Sequence, residues 1–353
     1  MAGPNNTAVQ PDAGYPVQLR KTASEPVCRV GGKAGRLASS PLLLSLGFIL
    51  ATLAIGACTN TESGDGLFVT GSKEINSLGA FLMAVYRSQD FQVLVGILLA
   101  GCAVEAIIPG LRQRASSRSF NIPYGFLMLL FDSAIAPLPI FLVDTIGNQL
   151  NWRSMLDLSF STQGSIALSC AAVVISTAIT DFFQYWAHRL QHVPLLWPQH
   201  TVHHSDPSLD VTTTQRAHFL DHLFLPIATT LPMALLFDLP ANQIIVLSLL
   251  PYLWPYFVHA NLRIGFGPAW WLLTSPQYHR IHHSIESKHS DRNFALWFPL
   301  WDVLFGTAYA PLPDEYPATG VPDVRISTID QAFVYPVKRW YTMMGLDRRR
   351  QLQ

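Results

Sequence analysis

Charged side chains are scarce in this chain of 353 residues: Asp, Glu, Lys and Arg together make up 13% of it. Soluble domains carry roughly 25%. Hydrophobic residues make up 50%, and the formal net charge is zero. A zero net charge excludes the basic character of a nucleic-acid-binding protein, so no nucleic-acid partner is expected. Few charges and many apolar residues indicate a membrane protein with several spans.

Several common site motifs are also missing. The four cysteines form no CxxC pair, and three of them lie in apolar runs, where small core residues are the simplest interpretation. No HExxH motif occurs, which disfavours a zinc protease. No GxGxxG motif occurs, so the chain carries no dinucleotide-binding fingerprint.

Histidine is what the chain has instead. All twelve histidines lie between Asp181 and His289, and eight of them fall into three groups: HRLQH at 188–192, HTVHH at 200–204 and HRIHH at 279–283. Positions i, i+3 and i+4 of a helix share a face, so each group aims its imidazoles at one point. One zinc ion takes about four ligands, so eight nitrogens suit two ions. Carboxylates are sparse in this window, and imidazole suits Zn, Cu, Fe and Ni.

Apolar runs divide the chain into segments. Residues 1–40 are predicted to be a disordered basic tail, residues 41–147 N-terminal transmembrane helices, residues 148–310 the catalytic domain with the histidine motifs, and residues 311–353 a C-terminal tail with an interfacial helix. The runs of spanning length are Pro41–Cys58, Phe91–Pro109, Ile122–Ile146 (interrupted by Pro137 and Pro139), Gly164–Trp186, and a hairpin of Ala217–Phe237 and Gln243–His259.

Positive charge predicts the orientation of these runs. Basic residues are concentrated in the N-terminal tail, in the loop at 112–118 and at the C-terminus, which places these segments and the three histidine groups on the cytoplasmic side. The predicted fold is all-α, a polytopic membrane helical bundle with a histidine-rich metal site at its cytoplasmic face. We therefore expect an integral membrane protein of the bacterial inner membrane or the endoplasmic reticulum.

The order HRxxH, HxxHH, HxxHH resembles the fatty acid hydroxylase/sterol desaturase superfamily of membrane non-haem di-iron oxygenases. The segment from Asp181 to Arg189 is similar to the helix that enters the family's site. The resemblance covers roughly Gly164 to Tyr309. Further flanking residues fit: Arg216-Ala-His218, which resembles an RxH element of the sterol desaturase branch, His259-Ala-Asn261, Ser275-Pro276, and Trp301-Asp302 to Gly306-Thr307.

This resemblance implies hydroxylation or desaturation of a lipid, sterol-like or acyl-chain, with two iron ions (Fe2+/Fe3+) as cofactor and O2 as co-substrate. No haem-binding HPGG element occurs, so a separate electron donor of the cytochrome b5 or ferredoxin type is expected. Some fatty acid 2-hydroxylases carry a further histidine where this chain has Arg263. This difference argues against the substrate class of those enzymes. The implied metal ligands are His188, His192, His200, His203, His204, His218, His259, His279, His282 and His283.

Asp181 is the candidate catalytic residue that is not a histidine. Asp181, Gln184, His188 and His192 follow i, i+3, i+7 and i+11, one stripe on one helix face. An ionisable group near the end of an apolar span is costly unless it is used. We expect Asp181 to hydrogen-bond a metal-bound imidazole from a neighbouring helix; the alternative is a hydrogen bond that serves packing alone.

Two other functions use the same histidines. A metal-dependent membrane lipid hydrolase would bind zinc and a hydroxide, and its independence of O2 and reductant would separate it from an oxygenase. A metal transporter would place histidines along a path through the bilayer, whereas here they cluster at the ends of spans on one side.

Overall fold

The computed structural model describes residues 89–112, 116–135, 137–150, 156–157, 166–238 and 253–346. The tail at 1–40 and the first predicted span, Pro41–Cys58, lie outside these residues. The described residues are mainly helical. The helices are α1 (Gln89–Ile107), α2 (Ser116–Ile135), α3 (Pro137–Leu150), α4 (Ile166–Gln191), α5 (Trp197–His204), α6 (Phe219–Leu236), α7 (described over 253–259), α8 (Pro276–His282), α9 (Leu300–Leu304) and α10 (Ile329–Met343).

The prediction of an all-α fold is confirmed. Within the described ranges, the only sheet is a parallel pair of two-residue strands, β1 (Leu156–Asp157) and β2 (Phe237–Asp238). Short one-turn 3-10 segments at Val211–Gln215, Gly267–Ala269 and Ser287–His289 connect the helices. The architecture is thus a bundle of helices in which the strands play no organising part.

Helix α6 is long and apolar enough to cross a membrane, and it is the one helix with that property in the part of the chain that the structure describes. It coincides with the first arm of the predicted hairpin. The apolar part of helix α1, Phe91–Ile107, is shorter than the 18 residues taken as the minimum for a span. The remaining predicted spans stay predictions.

Helix α4 carries the first histidine motif. It has 26 residues and is about 39 Å long at 1.5 Å per residue. Val174 and Ile175 in its first half are 56% and 52% exposed, whereas Asp181 and Tyr185, about two to three turns further along, are buried. The helix does not stop at Trp186, the end of the predicted span, but continues to Gln191. His188 therefore sits on the same rigid rod as the apolar segment.

The apolar run Ile122–Ile146 folds as two helices. Helix α2 ends at Ile135, and helix α3 begins at Pro137. Proline disfavours a helical conformation for the residue before it, yet it is well accommodated at the first position of a helix. Pro139 then falls within the first turn of α3, where the missing backbone N–H costs no helical hydrogen bond.

The apolar core beside the histidines is built by α7, the segment that follows it, and Trp297 from the loop before α9. Trp254 and Trp297 stack with ring centroids 4.5 Å apart, and Phe257 and Val258 are buried beside them. Full burial of such a side chain is worth about 1.5–3 kcal/mol. His259 follows directly in the chain, so this core fixes its position.

Arg216, in the RxH element, joins three parts of the chain. Its guanidinium is buried and donates to the Asn121 side chain in α2, to Val202 O and Ser205 Oγ at α5, and to Ile326 O before α10, at distances of 2.7–3.2 Å. A buried charge is tolerated only when it is fully hydrogen-bonded. Arg216 thus anchors α5 against its neighbours.

The C-terminal helix α10 packs against α5. Its Trp340 indole donates to Leu195 O at 2.7 Å, and Ala332 and Pro336 are buried. Val334 and Val337 on the opposite side are 42% and 57% exposed. This exposed apolar side is consistent with the predicted interfacial helix, which remains a prediction.

Candidate metal centre

The three histidine motifs converge because each sits at a helix end that faces the same point. His188 lies in the last turn of α4, and His192 follows directly after it. Helix α5 carries the second motif. Helix α8 carries the third and begins with Ser275, whose hydroxyl accepts from Tyr278 N, and with Pro276 at its first position. Capping residues of this kind fix where a helix starts, and hence where its side chains point.

The structure brings nine of the ten predicted ligands into two adjacent clusters, within each of which one nitrogen per residue lies within 4.8 Å of the others. The five-histidine cluster consists of His188, His192, His200, His204 and His282. The four-histidine cluster consists of His203, His259, His279 and His283. Rings of the two clusters touch, since His204 and His283 stack at 4.3 Å between centroids.

The distances between imidazole nitrogens test whether these clusters suit metal ions. Neighbouring Nε2 atoms within a cluster lie 3.0–3.2 Å apart. Two nitrogens bound to one ion at about 2.1 Å, with an angle of about 90–110° between them, would be about 3.0–3.4 Å apart. The donor set therefore fits a shared cation. The pairs are His200–His204, His204–His282, His203–His259, His259–His279 and His279–His283.

The other ring nitrogen of four ligands is held by a backbone carbonyl. A carbonyl can only accept, so Nδ1 must carry the proton and the Nε2 lone pair is left free to bind metal. The distances are 2.7–3.2 Å. His192 Nδ1 instead lies 3.2 Å from a carboxylate oxygen of Asp291. The carbonyl pairs are His188 with Phe294, His203 with Arg216, His259 with Pro255 and His282 with Arg292.

The two clusters are interleaved through the HxxHH motifs. In the second motif, His200 and His204 belong to the five-histidine cluster, whereas His203 belongs to the four-histidine cluster. In the third motif the assignment is reversed: His279 and His283 belong to the four-histidine cluster and His282 to the other. Each motif therefore gives its i, i+4 pair to one cluster and its i+3 residue to the other.

Burial keeps these imidazoles neutral. For six of the histidines in the second and third motifs, burial first and neighbouring histidines second hold the pKa well below the usual 6.5. Neutral imidazole is the form that binds a metal ion. These six are His200, His203, His204, His279, His282 and His283.

His218, the tenth predicted ligand, lies outside both clusters. It is the N-cap residue of α6, and its Nδ1 accepts from Leu220 N at 3.3 Å. Its ring lies 4.3 Å from that of Phe219. Its position at the start of the apolar helix suits a cap, and its predicted role as a ligand has no support from the geometry.

Asp181 also lies differently from the expectation. Its carboxylate accepts from three consecutive backbone N–H groups, those of Leu296, Trp297 and Phe298, at 2.8–3.1 Å. No histidine is among its partners in the described structure. The sequence stripe correctly places Asp181 on the inner face of α4, but the nearest donors there are those of a loop. This loop follows Phe294, whose carbonyl accepts from His188.

Asp302 holds the same loop from the other side, a role the sequence analysis does not assign. Its carboxylate accepts from Phe294 N, Ala295 N, Tyr278 OH and the Thr307 hydroxyl at 2.7–3.0 Å. In the sequence, only the resemblance of Trp301-Asp302 to the family pointed to a role for Asp302. Asp181 and Asp302 together fix the loop that orients His188.

A third group of potential metal ligands lies outside the two clusters and consists of Glu286, His289 and Glu315. Here Lys288 Nζ lies 2.5 Å from Glu315 Oε1 and 3.3 Å from Glu286 Oε2, so an ammonium already bridges the two carboxylates. His289 is buried and bonds Ser284 Oγ at 2.8 Å and Glu315 at 3.2 Å. The group is thus an ion-pair network.

The comparison with known families agrees with this geometry. Residues 173–307 match the model of the fatty acid hydroxylase family. This segment is similar to the fatty acid hydroxylase family. The resemblance predicted from the histidine motifs is confirmed, and the matched segment contains all nine clustered histidines.

Curated relatives of this segment are named for reactions on an alkylglycerol, an ornithine lipid and a very-long-chain aldehyde. Alkylglycerol monooxygenase of Xenopus tropicalis is 34% identical over 128 residues, which are 36% of this chain and 28% of that protein. The ornithine lipid hydroxylase OlsE of Rhizobium tropici is 34% identical over 140 residues, 39% of this chain and 42% of that protein. Very-long-chain aldehyde decarbonylase CER1 of Arabidopsis thaliana is 28% identical over 149 residues, 38% and 23% of the two chains. The chain thus spans less than half the length of these relatives. No solved structure matches it.

Proposed function

We propose that this protein is a membrane-bound, O2-dependent di-iron oxidoreductase that hydroxylates or desaturates a lipid. The observation that carries the proposal is the pair of adjacent histidine clusters, whose Nε2 atoms lie at the spacing of common metal ligands inside a fatty acid hydroxylase segment. Two clusters argue for two ions. The family argues for iron among the metals that imidazole can bind.

The metal ions would be held by the nine clustered histidines. Bound iron would supply the reduction of O2 and the oxidation of an unactivated C–H bond, chemistry that no side chain provides alone. The protein's own contribution is to present neutral nitrogens in a fixed arrangement. The carbonyls of Phe294, Arg216, Pro255 and Arg292 set that arrangement by selecting one tautomer of each partner imidazole.

Aromatic side chains cover the five-histidine cluster. The Trp197 ring lies 4.9 Å from His192 and 5.2 Å from His204 between centroids, and the Phe294 ring lies 4.8 Å from His192. Apolar cover of this kind excludes water and strengthens electrostatic interactions at the ions. It also suits an apolar substrate that approaches along the helices.

The proposed substrate is a lipid. The relatives named alkylglycerol monooxygenase and ornithine lipid hydroxylase act on lipids. Helix α4 exposes the large apolar residues Val174 and Ile175 about 20 Å before the first motif, and Leu190 within it. A lipid entering from the bilayer along such a surface would be oriented before it reaches the ions.

The setting of the reaction follows from the charge distribution. The positive-inside rule favours a site at the cytoplasmic face of a bacterial inner membrane or the endoplasmic reticulum. A hydroxylation needs two electrons beyond those of the C–H bond, so a separate donor of the cytochrome b5 or ferredoxin type is proposed.

The same ligands would also suit a zinc-dependent lipid hydrolase. The names of two of the relatives, a monooxygenase and a hydroxylase, favour the oxygenase. The two functions differ in their need for O2, which decides the experiment.

The test is to supply cells that express the protein with isotopically labelled O2 and to compare their lipids by mass spectrometry with those of cells lacking the gene. Hydroxylation places the labelled atom in a new alcohol. Desaturation yields a lipid two hydrogens lighter without label. Products that form equally well without O2 would refute the oxygenase and favour the hydrolase.

A matched pair of variants controls for indirect effects. His259→Ala removes a clustered ligand, whereas His289→Ala removes a buried histidine of the ion-pair network. The product should disappear only in His259→Ala. If a folded His259→Ala protein still formed the product, the four-histidine cluster would not be needed for the reaction.

A further inference from the structure

Asp221, in the first turn of α6, joins the elements that carry the first two histidine motifs. Its Oδ1 accepts from Gln191 Nε2 at 2.6 Å and from Gln199 Nε2 at 2.9 Å. Gln191 stands directly before His192 at the end of α4, and Gln199 stands directly before His200 in α5. Asp221 and both glutamines are buried. One oxygen of a single carboxyl group thus ties both motifs to α6.

The second oxygen of Asp221 faces a metal ligand. Oδ2 lies 3.6 Å from His200 Nδ1, and neither atom has a hydrogen-bond partner among the described residues although both are buried. A buried polar atom left without a partner destabilises the fold, so such an atom marks a place where a partner is expected. The opposite nitrogen of the same ring, His200 Nε2, lies 3.1 Å from His204 Nε2 inside the five-histidine cluster. The imidazole therefore spans the gap between Asp221 and the cluster.

We propose that Asp221 is the positioning residue of the five-histidine metal site and acts through His200; this inference rests on the proposed function. The Asp221 carboxylate would accept a hydrogen bond from His200 Nδ1–H, which keeps the proton on Nδ1 and leaves the Nε2 lone pair for the ion. A small shift of the His200 ring towards Asp221 would shorten the 3.6 Å separation to a hydrogen bond. Asp221 supplies to His200 what carbonyls supply to His188 and His282.

Charge gives Asp221 a second contribution. The nine clustered ligands are neutral imidazoles, so they leave the positive charge of the ions uncompensated. Among the carboxylates that face a clustered histidine in the described structure, Asp291 is exposed and Asp221 is buried. A buried negative charge interacts with an ion far more strongly than an exposed one, because water does not screen it.

The substitution Asp221→Asn separates positioning from packing. Asparagine keeps the shape and one acceptor for the two glutamines, but it turns an N–H donor towards His200 Nδ1. The ring then has to place its own proton on Nε2, which cannot bind metal. Loss of such an orienting partner typically weakens metal binding by ~10–100-fold. Under a packing role alone, the variant would lose stability and keep its metal affinity.

The measurement is chelator competition on purified, iron-loaded protein in detergent, together with Mössbauer spectra of the bound iron and thermal unfolding of the metal-free protein. Asp210→Asn is the matched control, because Asp210 is a buried carboxylate that caps residues Val211–Gln215 and pairs with Arg118 without touching a histidine. We expect Asp221→Asn to bind one of its two irons ~10–100-fold more weakly, with that iron's spectral component altered. Asp210→Asn should keep both affinities.

A double-mutant cycle tests the route of the effect. In a His200→Ala background, Asp221→Asn should weaken iron binding only through the loss of the buried charge, and therefore less than in the wild-type background. Equal weakening in both backgrounds would show that Asp221 does not act through His200. Should Asp221→Asn fail to fold, Asp221→Glu decides, since it retains the charge and should hold both irons within ~10-fold of wild type. Wild-type iron affinities in folded Asp221→Asn, or loss of an iron in folded Asp221→Glu, would overturn the proposal. Absence of iron from the wild-type protein would instead refute the proposed function.

Discussion

The interleaving of the two clusters predicts that neighbouring histidines of one motif serve different ions. His203→Ala should remove a ligand from the four-histidine cluster and leave three. His282→Ala should remove a ligand from the five-histidine cluster and leave four. A partner that only orients a ligand is worth ~10–100-fold in affinity. Loss of the ligand itself should therefore weaken the affected ion by more than ~100-fold and leave the other ion bound.

Reference variants identify which ion is lost. His259 belongs to the four-histidine cluster alone and His188 to the five-histidine cluster alone. Iron content under graded chelator and Mössbauer spectra are measured for all four variants. His203→Ala should share the spectrum of His259→Ala, and His282→Ala that of His188→Ala. His289→Ala should keep both irons, because His289 bonds only Ser284 and Glu315 at its ring nitrogens.

The opposite pairing would refute the geometry. If each motif bound its own ion, His203→Ala would remove the same iron as His200→Ala and His204→Ala. Simultaneous loss of both irons in every variant would show that the ions depend on each other so strongly that the clusters cannot be treated as separate sites. Only the interleaved arrangement gives matching spectra for residues from different motifs.

Three further predictions concern the rest of the chain. Reporter fusions at Gln353 and near Ser63 should report opposite sides of the membrane, as the positive-inside rule requires; the same side for both would refute the topology. Turnover should need an added electron donor, because the chain has no dinucleotide fingerprint. Turnover by the purified chain with NAD(P)H alone would refute this need for a separate donor. Burial alone would raise the pKa of the Glu315 carboxyl, but hydrogen bonds from Lys288, Leu312 N and Tyr309 outweigh it and lower the pKa to about 2. The stabilisation is present above the usual 4.5 and is lost as pH falls towards 2, so thermal unfolding of Glu315→Gln should lack this acid-dependent part.

Helical spacing accounts for what the sequence could predict of the site. It identified eight of the nine clustered histidines from the three motifs alone, because i, i+3 and i+4 share a helix face whatever the tertiary structure. His259 was implied only by the resemblance. Spacing could not show that His203 and His282 cross to the other cluster. That division depends on how α5 and α8 are rotated about their axes, and Arg216 and Ser275 set the rotation through long-range and capping contacts.

Carboxylates were harder to place because their roles depend on what lies opposite them. Asp181 and Asp221 both occupy buried positions on inner faces of long helices, and nothing in their own sequence surroundings distinguishes them. A loop more than a hundred residues away supplies N–H donors to Asp181, whereas α5 presents His200 to Asp221. Long-range packing therefore decides which acid supports the metal.

The variant Asp181→Asn tests whether Asp181 supports the fold while Asp221 supports the metal site. Asparagine retains one acceptor oxygen for the N–H groups of Leu296 and Trp297, but its amide turns donors towards Phe298 N. Leaving one buried donor unpaired costs about 1–3 kcal/mol, so chemical unfolding should show a loss of that size.

The affinity for iron should fall far less in Asp181→Asn than in Asp221→Asn. Asp181 reaches His188 only through the loop that carries the Phe294 carbonyl, and Asp302 holds that loop independently through Phe294 N and Ala295 N. Chelator competition and unfolding are measured on the same preparations. A large loss of iron affinity at unchanged stability would place Asp181 in the orienting role that the structure gives to Asp221. A loss of stability with near wild-type affinity would confirm that Asp181 acts on the fold, because the second anchor at Asp302 keeps His188 in position.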